Sequence, residues 1–253
     1  MILLASLYKQ YNYHKRYLVN TLFSIVLYTV IFVALIYGYS ALSSTPLQYG
    51  STASGLIVSY YAWTLMMSVY TFTGYVVEQN KNNGTLENII VSAQSITLVL
   101  ICECIANCLF YFLFSWAIIG LLALICGVSL HVHVVTTFVI LMVGLLSVLG
   151  LSLVVAGLEM LLRKMDSIMT LLQFALLGEL FLPDSVLARL LLPFHFANHL
   201  LRRTFLDDCT LSSFSGKDYL YLALNSAIYL LLGVLCFSQA LKLAKRKGTL
   251  SFY

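Results

Sequence analysis

Three long stretches of the chain carry no charged residue: 17–77, 104–158 and 219–241. A membrane span needs about 20 consecutive, predominantly apolar residues. The first stretch predicts two spans, separated by the polar, proline-containing break at 43–50 (Ser-Ser-Thr-Pro-Leu-Gln-Tyr-Gly). The second predicts two more, interrupted at 129–133 by Ser-Leu-His-Val-His. A shorter apolar run over about 167–182 predicts a fifth span, and 219–241 predicts the sixth. The expected fold class is an all-α integral membrane protein with six transmembrane helices. An even number of spans puts both termini on one side of the membrane.

Three segments do not fit the pattern of spans joined by short loops. In residues 1–17, Leu3, Leu4, Leu7 and Tyr11 share a helical face, with Lys9, Asn12 and Arg16 elsewhere. That arrangement predicts an interfacial helix lying in the membrane surface. The other two are the segment 78–95, between spans two and three, and the segment 183–218, between spans five and six. No internal repeat and no linker divides the chain, so 1–253 is expected to be one transmembrane domain.

Composition agrees: 61% of residues are apolar and 9% charged, against about 25% charged in soluble domains. Charge placement adds an orientation. Segments 1–17, 78–95, 161–166 and 242–253 hold ten of the fourteen Lys and Arg residues. Positive residues concentrate on the cytoplasmic side, so both termini are expected there, in a plasma membrane. The run before and through the first span is too long for an ordinary cleaved signal, and that span is taken as retained. Five of the six cysteines lie in apolar stretches, which argues for packing residues and against a disulfide framework. There is no Gly-rich loop ending in Gly-Lys-Ser or Gly-Lys-Thr, so this chain has no such nucleotide site and no nucleotide-binding domain of that kind. No nucleophile–base constellation appears, and no catalytic residue is assigned.

The segment after the second span is the most informative. Asn82-Asn83-Gly84 signals a turn. Thr85 can then cap a short helix with Glu87 near its positive end, and Leu86, Ile89 and Ile90 give it an apolar face. Such a helix either lies on lipid or docks in a partner's groove. Glu78 followed by Gly84-Thr85-Leu86-Glu87, two aliphatics and Ser92 resembles the signature of type-2 ABC exporter permeases. Residues 183–194 and 196–202 are similar to that family's outer stretch between spans five and six. The chain departs from the pattern at Ser92-Ala93, where the family often has Ser-Pro, and at Gly178-Glu179, where the acid is unusual. The resemblance implies that Glu78, Gly84, Thr85, Leu86, Glu87, Ile89 and Ile90 form a coupling segment touching a separate ATPase subunit. It implies outer re-entrant helices in 183–218. It also implies a second permease subunit, identical or a sister chain, with Mg-ATP bound by the partner ATPase and no cofactor in this chain.

Polar residues inside the spans mark where chemistry can occur. Tyr60, Thr64, Ser68, Thr71 and Tyr75 are spaced 4, 4, 3 and 4 apart, and at about 100° per residue they form one narrow stripe. A polar stripe in a membrane helix faces protein or water. It serves either a pathway or helix–helix hydrogen bonding. The resemblance assigns it to the translocation pathway, with Thr170 and Gln173 as fifth-span counterparts and Glu179 near the outer end. Glu159 precedes Arg163 by one turn and is expected to pair with it. Glu103 lies a few residues into the third span, within reach of water or headgroups. Gly144, Ser147, Gly150 and Gly157 set small residues on one face of the fourth span, for close helix packing. His195 and His199 have zinc-compatible spacing, but no third ligand accompanies them and no metal is assigned.

The expected function is therefore the membrane subunit of a bacterial ATP-driven exporter working by alternating access. Its cargo would be amphipathic: a drug, a lipid-like molecule or an antimicrobial peptide. Alternatives are a glycan or glycolipid exporter subunit, an ion-coupled secondary transporter, or a non-transporting immunity or accessory protein. Besides the ATPase and the second permease, membrane lipid is the expected partner, and nucleic acid is not.

Overall fold

The structure is a computed structural model describing residues 2–42, 51–84, 95–162, 165–179, 182 and 184–247. All regular secondary structure among the described residues is helical, with no strand. Nine α-helices are described: α1 (Ile2–Arg16), α2 (Leu18–Leu42), α3 (Ser51–Asn82), α4 (Ile96–Cys126), α5 (Val134–Leu161), α6 (Asp166–Glu179), α7 (Val186–Leu191), α8 (His195–Leu206) and α9 (Gly216–Lys247). A single 3-10 turn, Leu211–Ser213, precedes α9.

Three helices, α4, α5 and α9, are long and apolar enough to cross a membrane. A fourth span results if α1 and α2, bent by 81° relative to each other, count as one. The same bend suits an interfacial helix followed by a spanning one. At 1.5 Å per residue the 32 residues of α3 extend about 48 Å, beyond a hydrocarbon core of about 30 Å. Its Ser, Thr and Tyr residues keep it less apolar than α4 and α5. The 14 residues of α6 reach only about 21 Å, short of that thickness. α3 also runs on through Asn82, so Glu78 sits in a helix and not in the connecting segment.

The centre of the bundle is the α5–α9 pair. Gly150 and Gly233 bring the backbones into direct contact: a Cβ on Gly150 would lie 2.2 Å from the Tyr229 carbonyl oxygen, and one on Gly233 2.2 Å from that of Gly150. Gly157 meets Ala240 in the same seam. Lipid supplies no hydrophobic drive between helices, so dispersion at such close approach has to hold them. The small-residue face of α5 thus serves two neighbours, because Gly144 packs on Ala197 and Phe194 of the α8 region. Ser147, fully buried, accepts a 2.9 Å hydrogen bond from the Phe194 amide. That bond stabilises Phe194 in the left-handed region (φ 66°), which a bulky residue rarely adopts.

α3 packs on both α4 and α5. Thr73 and Ser152 share a buried hydrogen bond of 3.0 Å. The buried Lys81 donates to the Glu159 and Leu162 carbonyls, each at 3.3 Å. An ammonium there meets the unpaired carbonyls and negative dipole end of α5. At the far end of the bundle, Asn225 of α9 faces the carbonyls of Arg189, Leu190 and Leu192 at 3.2, 2.9 and 3.1 Å. Tyr229 bonds the Leu191 carbonyl. These contacts hold α7 against α9 by its otherwise unsatisfied C-terminal carbonyls.

Candidate functional site

A cavity of about 580 Å³ lies between α1, α3 and α4, with α6 contributing Gln173. That volume is within the range of small-molecule sites, roughly 300–1,000 Å³. Its α3 wall carries Ser68, Thr71 and Tyr75, with Trp63, Met67 and Phe72. Three of the five stripe positions, and Gln173, therefore border one space. α6 reaches α3 through Tyr70, whose hydroxyl donates to the Met169 carbonyl at 3.2 Å, and through Met169 against Gly74.

The other two stripe positions have different surroundings. Tyr60 donates a 2.8 Å hydrogen bond to the Tyr28 carbonyl of α2 and packs on Phe32 and Trp63, which is a helix–helix contact. Thr64 is buried and borders a smaller cavity of about 60 Å³ beside α2. The hydroxyls of Thr64, Ser68 and Thr71 donate to carbonyls one turn back, those of Tyr61, Leu65 and Met67, at 2.7–2.8 Å. Each keeps lone pairs free to accept. Thr170 is exposed on α6 and does not border the large cavity. Glu179 does not border it either. It lies buried at the end of α6, 4% exposed, where its backbone carbonyl contacts His195 Nδ1 at 2.9 Å.

The pattern of the chain did not reveal the α1 wall. Residues Ser6, Gln10 and His14, one turn apart, are the buried face of α1. They press against α4, where His14 stacks on Phe110 with ring centroids 5.3 Å apart and meets the Phe114 ring tilted at 5.1 Å. The apolar residues Leu4 and Tyr8 point outward, 71% and 70% exposed. Of the expected apolar face, Leu3, Leu4 and Tyr11 are exposed, but so are Lys9, Asn12 and Arg16, and the residues that turn inward are Ser6, Gln10 and His14, of which Gln10 and His14 border the cavity. Lys9 and Glu103 form an ion pair at 2.6 Å that ties α1 to α4, so Glu103 has a protein partner. Lone titratable residues 94 positions apart give no local signal of such pairing.

Of the coupling segment, Glu78 is exposed near the end of α3, and Gly84 closes the following turn at φ 65°. That left-handed angle is the one glycine adopts without strain. Thr85, Leu86, Glu87, Ile89 and Ile90 lie outside the described residues, as do the 43–50 break, Pro183, and Arg163, the expected partner of Glu159.

The α4–α5 turn is fastened to the end of α8. Asp208 Oδ1 lies 2.6 Å from His133 Nε2 and 3.4 Å from His131 Nδ1, and the His131 amide donates to the Phe205 carbonyl at 3.0 Å. The hydrogen bond from His133, reinforced by both imidazoles, holds the Asp208 carboxyl below the ordinary aspartate range. Asp184 pairs with Arg189 and lies 3.5 Å from His199 Nε2. His195 and His199 thus have separate partners. Among the described residues no cluster of three His, Cys, Asp or Glu side chains is arranged to hold a metal. Compared with known proteins, the chain matches no family model, no curated protein and no solved structure.

Proposed function

We propose that this chain is the transmembrane subunit of an ATP-driven exporter of the type-2 ABC kind. Six spans would cross a bacterial plasma membrane with both termini in the cytoplasm. Two permease subunits would pair, and two ATPase subunits would bind beneath them through the segment from Glu78 to Ile90. ATP-driven closure of the ATPases would move that segment and switch the open side of the path. An amphipathic cargo would leave the cytoplasm or the inner leaflet.

The observation that carries this reading is the shared cavity wall. Ser68, Thr71 and Tyr75 of the second long helix and Gln173 of the helix α6 border one space, the pairing expected of a path lined by spans two and five. Hydroxyl and aromatic groups suit a cargo that is partly apolar and makes a few hydrogen bonds. Further support comes from Gly84, whose left-handed angle follows α3 at the turn that would open the coupling helix. Transport into vesicles by the reconstituted permease–ATPase complex tests the path. Thr71→Trp and Ser68→Trp should each obstruct transport while ATPase binding stays normal. Full transport by both would remove the stripe from the path.

One observation favours an ion-coupled carrier as the second reading. Glu179 is a buried carboxyl group with no ion pair among the described residues. An ionisable residue at membrane depth is a functional candidate by default. That reading requires transport driven by an ion gradient without ATP, abolished by Glu179→Gln.

A further inference from the structure

The floor of the large cavity holds polar groups that the fold leaves unused. Gln10 is 6% exposed and Asn107 4%. Both border the cavity, and neither carboxamide has a hydrogen-bond partner among the described residues. His14 uses Nδ1 toward Thr21, at 3.3 Å, while its buried Nε2 has no partner. The carboxamide atoms of Gln10 and Asn107 are not among the fully buried unpartnered ones, so they stay open to the cavity, where a molecule can add hydrogen bonds that the protein does not make. Two carboxamides from two helices thus border one space large enough for a small molecule.

The chemistry of these groups narrows what they receive. A carboxamide both donates and accepts. Its complement is a group that does the same, a hydroxyl or an amide. Phosphate and sulfate only accept, and a quaternary ammonium does neither. The fixed charge at the rim is already matched, because Lys9 is 2.6 Å from Glu103. Around the polar floor stand the flat faces of Tyr28, Trp63 and Tyr111, and Met67 and Phe72 supply apolar wall. Tyr13 and Tyr75 at the mouth are 51% and 57% exposed, so the space opens to the surroundings of the bundle beside the outward apolar face of α1.

We propose that the α1–α3–α4 cavity binds an amphiphile with one apolar chain and an uncharged head of hydroxyl or amide groups. The head hydrogen-bonds Gln10 and Asn107, and sugar-like rings or amide planes lie on the aromatic faces. The chain runs past Met67 and Phe72 toward the mouth. Glycolipids and acyl-peptide amides share this head chemistry. The cavity is the one the export reading makes its path, and on that reading the amphiphile is the cargo; binding itself requires no ATPase, so the two can fail separately.

The test uses the full chain in phosphatidylcholine vesicles and a decyl glucoside carrying a diazirine in its alkyl chain. Labelling should saturate and map to α1, α3 and α4. Unlabelled decyl glucoside, or N-decanoyl glycinamide if the natural head is an amide, should displace it at concentrations at least about ten-fold below those needed for decyl phosphate or decyltrimethylammonium. Gln10→Leu and Asn107→Leu should each weaken the labelling affinity by roughly three- to ten-fold. Because neither side chain loses a protein partner, the thermal stability of the unliganded chain should hold or rise. Non-saturating labelling spread over α2 and α9 would overturn the proposal. So would equal displacement by the charged amphiphiles, or variants that lose stability but keep their affinity.

Discussion

Gly150→Ala places one methyl group where the α5 and α9 backbones touch. The new Cβ would lie 2.2 Å from the Tyr229 carbonyl oxygen, 2.3 Å from its carbon and 2.6 Å from the Leu230 amide nitrogen. Ordinary contact begins at 3.4 Å, so the helices must part or rotate by about 1.2 Å. The obstacle is backbone in a helix and cannot swing aside. Overpacking of this sort costs about 1–3 kcal/mol, and a rigid obstacle points to the upper end. Alanine's better helix propensity returns about 1 kcal/mol. The expected net loss is about 2 kcal/mol, roughly a thirty-fold shift in the folding equilibrium. Gly233→Ala meets the Gly150 carbonyl at 2.2 Å and should cost a similar amount. The double variant should cost less than the sum, since one separation of the helices relieves both clashes. Gly120→Ala in α4 is the control, because nothing lies within 4 Å of its added Cβ, and it should be neutral or stabilising. Reversible unfolding in mixed micelles, followed by circular dichroism, reads all four. Equal stability of the Gly150→Ala and Gly120→Ala variants would refute the close α5–α9 packing.

Three further outcomes are expected. In a cysteine-free background, a cysteine placed within 43–50 should react with an impermeant thiol reagent added outside, and one at Asn83 should not; the reverse pattern would invert the topology drawn from Lys and Arg placement. Glu87→Arg, or Leu86 and Ile89 both changed to Asp, should leave insertion intact and uncouple ATP hydrolysis from export, measured as transport per ATP consumed; normal coupling would remove the docking role of that segment. The Asp208 carboxyl is held below its usual range by His133 and His131, so its tie to the α4–α5 turn is fully present above the ordinary aspartate range and is lost as pH falls through the lowered value. Amide exchange of the turn at 127–133 should be faster in Asp208→Asn than in the parent near neutral pH, with the ratio approaching one in strong acid; a ratio of one at neutral pH would show that the clamp does not restrain the turn.

How much of this was legible follows the range of each interaction. The long apolar helices α4, α5 and α9 and the break near 127–133 are local patterns, and they appear in the sequence as they do in the fold. The small-residue face of α5 was also legible, because a repeat of Gly and Ser every three or four residues has few other uses inside a span. Its division between α9 and α8 was not, since that depends on where Phe194 and Tyr229 arrive. The stripe on α3 was visible by spacing, yet spacing cannot separate Tyr60, which bonds α2, from Ser68, Thr71 and Tyr75, which face the cavity. Lys81 looked like one positive charge among ten, but its ammonium serves the carbonyl end of α5. α1 was misleading in one respect. Its apolar face does point outward, while Gln10 borders the same cavity as Asn107 and His14 stacks on Phe110, a meeting across about 95 residues that no periodicity encodes. The 14 described residues of α6 do not by themselves reach the length expected of a fifth span.

Purification of the chain from its native membrane under mild conditions is the most direct test of the central claim. The account expects an ABC ATPase to co-purify in equal numbers with the permease chains, two of each, and the purified assembly to move an amphipathic cargo only when ATP is supplied. Recovery of the chain without any ATPase, together with cargo movement driven by an ion gradient alone, would contradict it.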